Sequence, residues 1–359
     1  MIYIGMDVHQ KSTTFCLFDP SAEKDRQYRT VTQPTTEEAI RRTLAPLGGQ
    51  CQVAYEVGTQ AQWIAAIVRP LAADVQVANP SRIPWLFRDG RKNDRLDARK
   101  LVTLLYLKQL PTVHLPQAEV SAWRALINHR RKLVTQRTQI KNQIRAILRA
   151  FGHRCPFKNL WTFRGQVWLE SLVFDEARTL MITTLLDELT FFDQKIGVIE
   201  GKLDGIARAQ ANVALLRTIP GIGPRTAEAI AAFTDGVERF KDRRTFASYF
   251  GMTPTEDSSG GVQRFGHISK RGPSVVRWVL VEAAYVAVRK NAELRKFYER
   301  IHRGNLVLSG EGKDRKKLVL ERSEGKAIVA VGRKLLTIAY AMMRDQKPFE
   351  AGKVLRSAA

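Results

Sequence analysis

The N-terminal third of the chain alternates short β-rich apolar runs with stretches whose apolar residues recur every three to four positions. The runs that predict strands lie at 2–8, 13–18, 28–33, 51–55 and 74–78. Helical periodicity follows Thr36, covers 59–72 and begins again at Asp94, with Asn93 as the candidate N-cap. Strands followed by alternating helices and strands predict an α/β layer domain.

Beyond this domain the apolar positions follow heptads. One apolar seam recurs every seven residues, at Leu126, Leu133, Ile140 and Ile147. A second run has a and d positions over four heptads: Ile182, Leu185, Leu189, Phe192, Ile196, Ile199, Leu203 and Ile206. We therefore predict that 119–151 and 176–208 are the arms of an antiparallel coiled-coil hairpin. Such arms either dimerise or pair only within one protomer.

The C-terminal part is mainly helical. The segment LRTIPGIGPRTAEAI predicts a helix-hairpin-helix element, in which the amides of Gly221 and Gly223 hold a phosphate or the turn is only structural. The charged stretch 302–325 has the composition of a linker. An amphipathic helix over 326–343 is expected to pack back onto this domain.

The charge balance of the chain indicates what kind of partner it binds. Among 359 residues, 58 Lys+Arg stand against 35 Asp+Glu, a net charge of +23 that is typical of proteins that bind polyanions. The sequence has no apolar run of about twenty residues and no signal-peptide pattern. The three cysteines form no CxxC pair and the histidines show no metal-ligand spacing. We expect a cytoplasmic nucleic-acid-binding protein without a zinc site or a membrane span.

Much of the positive charge falls within 120–169, a window that contains no Asp or Glu. The candidate nucleic-acid contacts on its helix are Arg130, Arg131, Arg137, Lys141, Arg145 and Arg149. A solvated basic face is the alternative interpretation. Near its end, Trp161, Phe163 and Trp168 are candidates either for stacking on bases or for local packing.

The candidate chemistry begins with the stretch RDGRKNDRLDARK, in which Asp94 and Asp97 share one helix face. Helix capping explains this pair when it is taken alone. However, Asp7 and Glu56 lie near the ends of two predicted strands, and sites in open α/β sheets gather at carboxyl strand ends. Four carboxylates in one cleft repel each other unless a cation lies between them. Oxygen ligands favour Mg²⁺, with Mn²⁺ as the alternative.

A second candidate site lies in the polar segment GMTPTEDSSGGVQRFGHISKRG. It contains Ser258 and Ser259, followed by the donors Arg264, His267, Lys270, Arg271 and Arg277. Serine in such a loop is usually turn chemistry. A nucleophilic role would suit the neighbouring cations, which can stabilise charge that develops on a phosphate.

Taken together, IGMDVHQK, YEVG, KNDRLDARKL, RTIPGIGPRTA, YFGMTP…SSG…ISKRG and GKAIVAVGRKLL resemble transposases of the insertion-sequence 110 family and its 1111 branch. The resemblance implies a RuvC-like (RNase H-like) domain over 1–112, a basic coiled-coil linker over 113–210 and a C-terminal transposase domain over 211–359. It implies that Asp7, Glu56, Asp94 and Asp97 bind Mg²⁺ and that Ser259 is the nucleophile, with Ser258 as the register alternative. It further implies dimers to tetramers, donor and target DNA as substrates, and a structured bridge RNA as guide.

The expected function is therefore Mg²⁺-dependent cutting and rejoining of DNA through a phosphoserine link. Two alternatives are a metal-only endonuclease of the junction-resolving kind and a non-catalytic nucleic-acid-binding protein.

Overall fold

The structure is a computed structural model that describes residues 1–82, 93–256, 265–303, 306–309, 316–319 and 323–350. Ser258, Ser259 and Arg264 lie outside these ranges. Contacts within the chain divide it into two compact units, Met1–Ala118 and Glu119–Ala359. The three-part division predicted from the sequence stays a prediction.

The N-terminal unit is built on one mixed sheet. Its strands are β1 (Ile2–Val8), β2 (Ser12–Phe18), β3 (Tyr28–Pro34), β4 (Gly49–Glu56) and β5 (Ala72–Ala78). Their order is β3-β2-β1-β4-β5, with β1–β2 and β2–β3 antiparallel and β1–β4 and β4–β5 parallel. This order is compatible with the predicted RuvC-like domain. The mixed α/β class predicted for this part of the chain is confirmed.

Three helices cover the sheet: α1 (Glu37–Leu44), α2 (Ala61–Val68) and α3 (Asp94–Tyr106). The period of two along β1 decides which helix covers which face. Ile4 and Met6 pack with the apolar residues of α1 and α2. On the other face, Ala54 of β4 packs with Leu101 and Leu105 of α3. The side chain of Thr36 caps α1 by accepting a hydrogen bond from the amide of Ala39, as predicted.

The C-terminal unit is mostly helical. Its elements are α4 (Ala118–Ala150), α5 (Phe163–Glu170), α6 (Glu176–Arg208), α7 (Ala211–Leu216), α8 (Pro224–Thr234), α9 (Arg243–Tyr249), β6 (Pro254–Glu256), β7 (Phe265–Ile268), α10 (Ser274–Lys290), α11 (Ala292–His302), β8 (Leu306–Ser309), β9 (Lys316–Val319) and α12 (Glu324–Asp345). Side chains of α7, α8, α9, α10 and α12 form its main core. The predicted return of the last helix onto this domain is therefore confirmed. In the described part of the chain, none of the helices combines the length and the apolar content that a membrane span requires.

The long helices α4 and α6 run antiparallel. Arg130 pairs with Glu200 and Arg137 pairs with Asp193, so that residue numbers rise along one helix as they fall along the other. The predicted a positions of α6 are all buried: Ile182, Leu189, Ile196 and Leu203. At the base of the hairpin, the Arg124 guanidinium donates to the carbonyls of Ala232 and Phe233 at the end of α8.

The sequence did not predict two short hairpins. The strands β6 and β7 pair antiparallel on either side of the segment that contains the two serines. The strands β8 and β9 pair antiparallel inside 302–325. The linker interpretation of 302–325 is therefore wrong for these eight paired residues. The prediction was based on the many charged residues of the segment and gave too little weight to its β-branched and long aliphatic residues.

Candidate active site

The candidate site lies at the carboxyl edge of the central parallel strands. The register aligns Met6 of β1 with Tyr55 of β4, so that the next residues, Asp7 and Glu56, lie at the carboxyl ends of neighbouring strands: Asp7 is the penultimate residue of β1 and Glu56 is the last of β4. Each lies one position after a residue that points towards α1 and α2. Both therefore belong to the face that α3 covers. This placement agrees with the prediction from the sequence that the strand ends bring these two acids to one edge of the sheet.

The position of α3 depends on Gly5. A Cβ atom at Gly5 would lie 2.1 Å from the carbonyl oxygen of Ala98 and 2.8 Å from the amide nitrogen of Val102. Real Cβ contacts are never this short, so only glycine allows the helix backbone to lie against β1. This close approach brings the first turn of α3, with Asp94 and Asp97, beside the end of β1.

The first turn of α3 contains a helix cap, Asn93, and a buried carboxylate, Asp97. The side chain of Asn93 accepts a hydrogen bond from the amide of Arg95 at 3.0 Å, so the capping interpretation is correct for Asn93. Asp97 is 8% exposed, and its carboxylate lies 3.7 Å from Nζ of Lys100. Capping does not explain a buried first-turn aspartate, since a residue that serves only the helix dipole can remain in solvent.

Three side chains meet at this edge. Nε2 of His9 lies 3.1 Å from Oδ2 of Asp7 and 3.5 Å from Oδ1 of Asp94. One ligand atom from each of the three residues lies within 4.8 Å of the other two, a spacing at which one metal ion can contact all three. Glu56 and Asp97 occupy the same edge but do not belong to this closest group.

The electrostatics of Asp7 reflect this crowding. Burial raises the pKa of the Asp7 carboxyl, and the charges of Asp94 and Asp97 raise it further, whereas His9 opposes the shift. A carboxylate that is poorly solvated and repelled by its neighbours gains most from a cation. The donor set therefore fits a divalent metal ion.

His9 was missed by the sequence analysis, which found no metal-ligand spacing among the histidines. The signal was present as Asp-x-His at the end of a strand, because residues two apart project from the same side of the strand. His9 adds a candidate nitrogen donor to the oxygen donors that the sequence analysis singled out. An imidazole beside two carboxylates is compatible with Mn²⁺ as well as Mg²⁺.

A cleft of about 450 Å³ opens beside the acids. His9 and Glu56 line it together with Gln10, Thr59 and Gln60. Glu56 is thus accessible to a substrate that enters next to the Asp7–His9–Asp94 group.

The flanks of the serine segment are described. His267, Lys270 and Arg271 are exposed on β7 and the turn that follows it. The guanidinium of Arg277 donates to the carbonyls of Phe250, Arg271 and Gly272. Through this one nitrogen, Nη1, Arg277 holds the backbone at the base of the β6–β7 hairpin.

Two glycines fix the same base. Gly251 and Gly272 both have left-handed φ, of +67° and +71°. A Cβ atom on Gly251 would lie 2.1 Å from the Arg271 carbonyl, and one on Gly272 would lie 2.0 Å from the Tyr249 carbonyl. The motif residues FG and RG thus allow two backbone segments to touch directly below the hairpin.

The six cations predicted on α4 fall into different environments. Arg130 and Arg137 face α6 and pair with Glu200 and Asp193 at 2.5 and 2.7 Å. The window 120–169 contains no acid, but acids of the other arm offset the charge of these two arginines. Arg131 donates to the hydroxyl of Ser274.

Further along α4, Lys141 and Arg145 lie over the ring of Trp161, at 5.0 and 5.6 Å from its centroid, and Arg149 is exposed. Trp161 itself packs with the apolar residues at this end of the hairpin. Phe163, in contrast, is 81% exposed, so solvent and ligands can reach its ring.

The turn before α8 contains both predicted glycines. Gly221 has φ of +92°, and a Cβ atom there would lie 2.6 Å from the amide nitrogen of Ala287 in α10. Gly221 therefore has a structural role. Gly223 is the N-cap residue of α8, has open space around it and leaves the helix without a side-chain cap.

Comparisons with known proteins match two parts of the chain to transposase families. The DEDD transposase family of the IS110 type matches residues 4–152. The family described as Transposase IS116/IS110/IS902 matches residues 213–299.

Individual relatives extend this match over most of the chain. A "Probable family 20 transposase" of Pseudomonas aeruginosa is 30% identical over 67% of this chain and 72% of its own length. The transposase for insertion sequence element IS1111A of Coxiella burnetii is 26% identical over 86% of this chain and 82% of its own. A pilin gene-inverting protein of Moraxella lacunata is 30% identical over 38% of each chain.

The sheet, its acidic edge and these matches define a transposase. In particular, the chain belongs to the IS110 (IS116/IS110/IS902) transposase family of insertion sequences.

Proposed function

We propose that this protein cuts and rejoins DNA with a divalent metal ion and a serine nucleophile, under the guidance of a structured bridge RNA. The observation that carries the proposal is the meeting of Asp7, His9 and Asp94 within 4.8 Å at the carboxyl edge of the sheet. Glu56 and Asp97 are supplied by the same edge.

The acidic residues would hold the ion. Asp7 and Asp94 offer ligand atoms within 4.8 Å of each other, His9 adds a nitrogen donor, and Asp97 and Glu56 complete the predicted tetrad. When bound, a Mg²⁺ or Mn²⁺ ion would polarise the phosphodiester and favour the deprotonated serine. The cleft beside His9 and Glu56 would accept the DNA strand.

The covalent step uses Ser259. Its Oγ attacks phosphorus, an Oγ–P bond forms and the P–O3′ bond breaks. The serine proton leaves to solvent, and the 3′ oxygen takes up a proton as it departs. The product is a phosphoserine link and a free 3′ hydroxyl, with no net loss of phosphodiester bonds. Attack by a second 3′ hydroxyl on the phosphoserine rejoins the strand and regenerates Ser259.

The C-terminal unit supplies further parts of this proposal. His267, Lys270 and Arg271 are exposed beside the hairpin that contains the serine segment and suit contact with phosphates, as does the uncapped start of α8 at Gly223. Arg264 is assigned the same role. Lys141, Arg145 and Arg149 suit contact with the RNA or DNA backbone.

The hairpin of α4 and α6 is proposed as a coiled coil that joins protomers into dimers or tetramers. Assembly would allow the serine of one protomer to reach the acidic site of another. Phe163, exposed at the far end of the hairpin, is a candidate for stacking on a base.

The nucleophile is tested by comparing Ser259→Ala with Ser258→Ala on a DNA substrate in Mg²⁺. We expect Ser259→Ala to abolish both strand cleavage and the protein–DNA adduct that survives denaturation. We expect Ser258→Ala to retain both. The reverse pattern would assign the role to Ser258.

The acidic edge is complete within Met1–Ala118, and this observation favours one rival, a metal-only endonuclease. In that case the double serine variant would still cleave and no adduct would form. A third arm, Asp97→Asn, tests catalysis itself, since a purely binding protein would be unaffected by it.

Sequencing the RNA that copurifies with the protein tests guidance, and the absence of a discrete RNA species would remove the guide from the proposal.

A further inference from the structure

The sequence analysis assigned no role to one group of cations in the C-terminal unit, although two of them belong to the segment GKAIVAVGRKLL. The group comprises Arg244 on α9, Arg300 on α11, and Arg333 and Lys334 on α12. Among the residues that the structure describes, no acid lies within ion-pair distance of these four side chains. This distinguishes them from Arg130 and Arg137 on α4, which have acid partners.

Lys334 is the centre of this group. It is 8% exposed and lies in the middle of α12, where Val331, Leu335 and Leu336 are fully buried. Its Nζ lies 5.8 Å from the centroid of the Phe297 ring. Cζ of Arg300 lies 5.3 Å from the same centroid, so one aromatic ring supports two cations.

The charges around these residues have the same sign. Burial lowers the pKa of Lys334, and the neighbouring Arg243 and Arg300 lower it further. Burial also lowers the pKa of Arg333, and Arg244 adds to that effect. Cations that are partly desolvated and repel each other destabilise the free protein unless an anion lies against them.

We propose that Arg244, Arg300, Arg333 and Lys334 bind the phosphate backbone of duplex DNA. The cations come from three helices, and Arg244 and Arg300 are exposed, so positive charge on two different helices is accessible to a polymer with regularly spaced phosphates. Arginine and lysine on such a surface contact phosphates without reading bases. The site therefore adds affinity and not sequence specificity.

This inference rests on DNA being the substrate, as in the proposed function, but requires neither the serine nor the metal ion. The test is accordingly a binding experiment in EDTA. The probe is a labelled 30-base-pair duplex, and its affinity is measured by fluorescence anisotropy between 50 and 200 mM KCl.

The test variant combines Arg300→Gln, Arg333→Gln and Lys334→Met. Each lost phosphate contact lowers the slope of log affinity against log salt by about 0.9. Over this salt range the wild-type protein should therefore lose about fortyfold more affinity than the variant. A wild-type slope in the variant would overturn the proposal.

The matched control combines Lys296→Gln, Arg303→Gln and Arg344→Gln. It removes the same charge from α11, its C-cap residue Arg303 and α12, but each of these cations has an acid partner, namely Glu293, Glu299 and Asp345. Its salt slope should equal that of the wild type. A control slope as low as that of the test variant would overturn the proposal in favour of a general effect of net charge.

The single variant Lys334→Met separates binding from folding. Because methionine avoids the desolvated charge, the melting temperature should not fall, while duplex affinity should. A lower melting temperature with unchanged affinity would show that Lys334 is structural. Retained duplex affinity with a lost affinity for a structured RNA would also overturn the proposal. A wild-type protein that bound no duplex would overturn the proposed function as well.

Discussion

The two compact units each bring like charges together, but in different ways. In the N-terminal unit, the acids Asp7 and Asp94 are short side chains on elements whose backbones touch at Gly5. In the C-terminal unit, Arg300 and Lys334 are long side chains that share the ring of Phe297. The acidic edge has the fixed geometry that a small ion requires, whereas the cations come from three helices and suit contact with several phosphates of a polymer.

The largest effect is expected from Gly5→Val, which changes the contact between β1 and α3 that fixes the geometry of the acidic edge. The new side chain would collide with the backbone of α3 at Ala98, so the helix must move away from β1 and take Asp94 with it. We expect a loss of about 3 kcal/mol in the free energy of unfolding, the upper end of overpacking effects. Urea denaturation measures it.

Gly58→Ala is the control, because a Cβ atom at Gly58 meets nothing within 4 Å. Its free energy of unfolding should stay close to the wild-type value. Equal stability of the two variants would show that the close packing of β1 and α3 is not required.

The next effect is stabilisation by a metal ion. A ligand at a hundredfold excess over its Kd stabilises the folded state by about 2.7 kcal/mol. We expect Mg²⁺ or Mn²⁺ to raise the melting temperature of the wild type but not of Asp7→Asn. In EDTA, Asp7→Asn should melt higher than the wild type, because it lacks a desolvated carboxylate that Asp94 and Asp97 repel.

Asp25→Asn, an exposed aspartate of the same unit, provides the comparison. It should retain the full metal effect. Metal stabilisation that persisted in Asp7→Asn would place the ion elsewhere.

A smaller effect is expected from pH. The raised pKa of Asp7 means that the metal-free folded state holds this proton more tightly than the unfolded chain does. The Asp7 contribution to the free energy of unfolding should therefore increase as pH falls through the folded-state pKa towards the ordinary value of 3.8.

Unfolding in EDTA from neutral pH to about pH 4 measures this contribution as the difference between wild type and Asp7→Asn. With a metal ion present the sign reverses, since the ion requires the ionised carboxylate. A difference that did not depend on pH would contradict the assigned environment of Asp7.

The smallest effect is expected from the cations of α4. Some of them have acid partners and others do not, so the two kinds can be compared within one helix. Arg137→Gln loses the ion pair with Asp193 and should lower the free energy of unfolding by about 0.5 kcal/mol, with an unchanged salt slope for DNA binding. Arg149→Gln should leave stability unchanged and lower the slope by about 0.9. Urea denaturation measures the free energy of unfolding, and anisotropy titrations measure the salt slope of DNA binding. Identical results for the two variants would contradict the division into paired and exposed cations.

The sequence predicted the strands of the N-terminal sheet and the two long helices closely, because each has a strong period of two or of seven. It also singled out Asp7 and Asp94, since isolated acids at strand ends and helix starts are visible in the pattern. The inward orientation of Arg130 and Arg137 was not predictable, because their acid partners lie about 55 to 70 residues away.

His9 and Lys334 show the same limit. A histidine after a strand and a lysine in an amphipathic helix have ordinary local explanations, and only their spatial neighbours distinguish them. The serine segment remains a sequence prediction, since Ser258 and Ser259 lie outside the described residues.

The sequence by itself determined the local elements, the excess of positive charge and the family. The tertiary structure alone decided which charges meet. It placed His9 between Asp7 and Asp94, offset two arginines of α4 with acids of α6, and brought cations from three helices together around Lys334. The physical reason is that periodicity is a property of neighbouring residues, whereas electrostatic energy depends on distances between residues that the chain brings together only on folding.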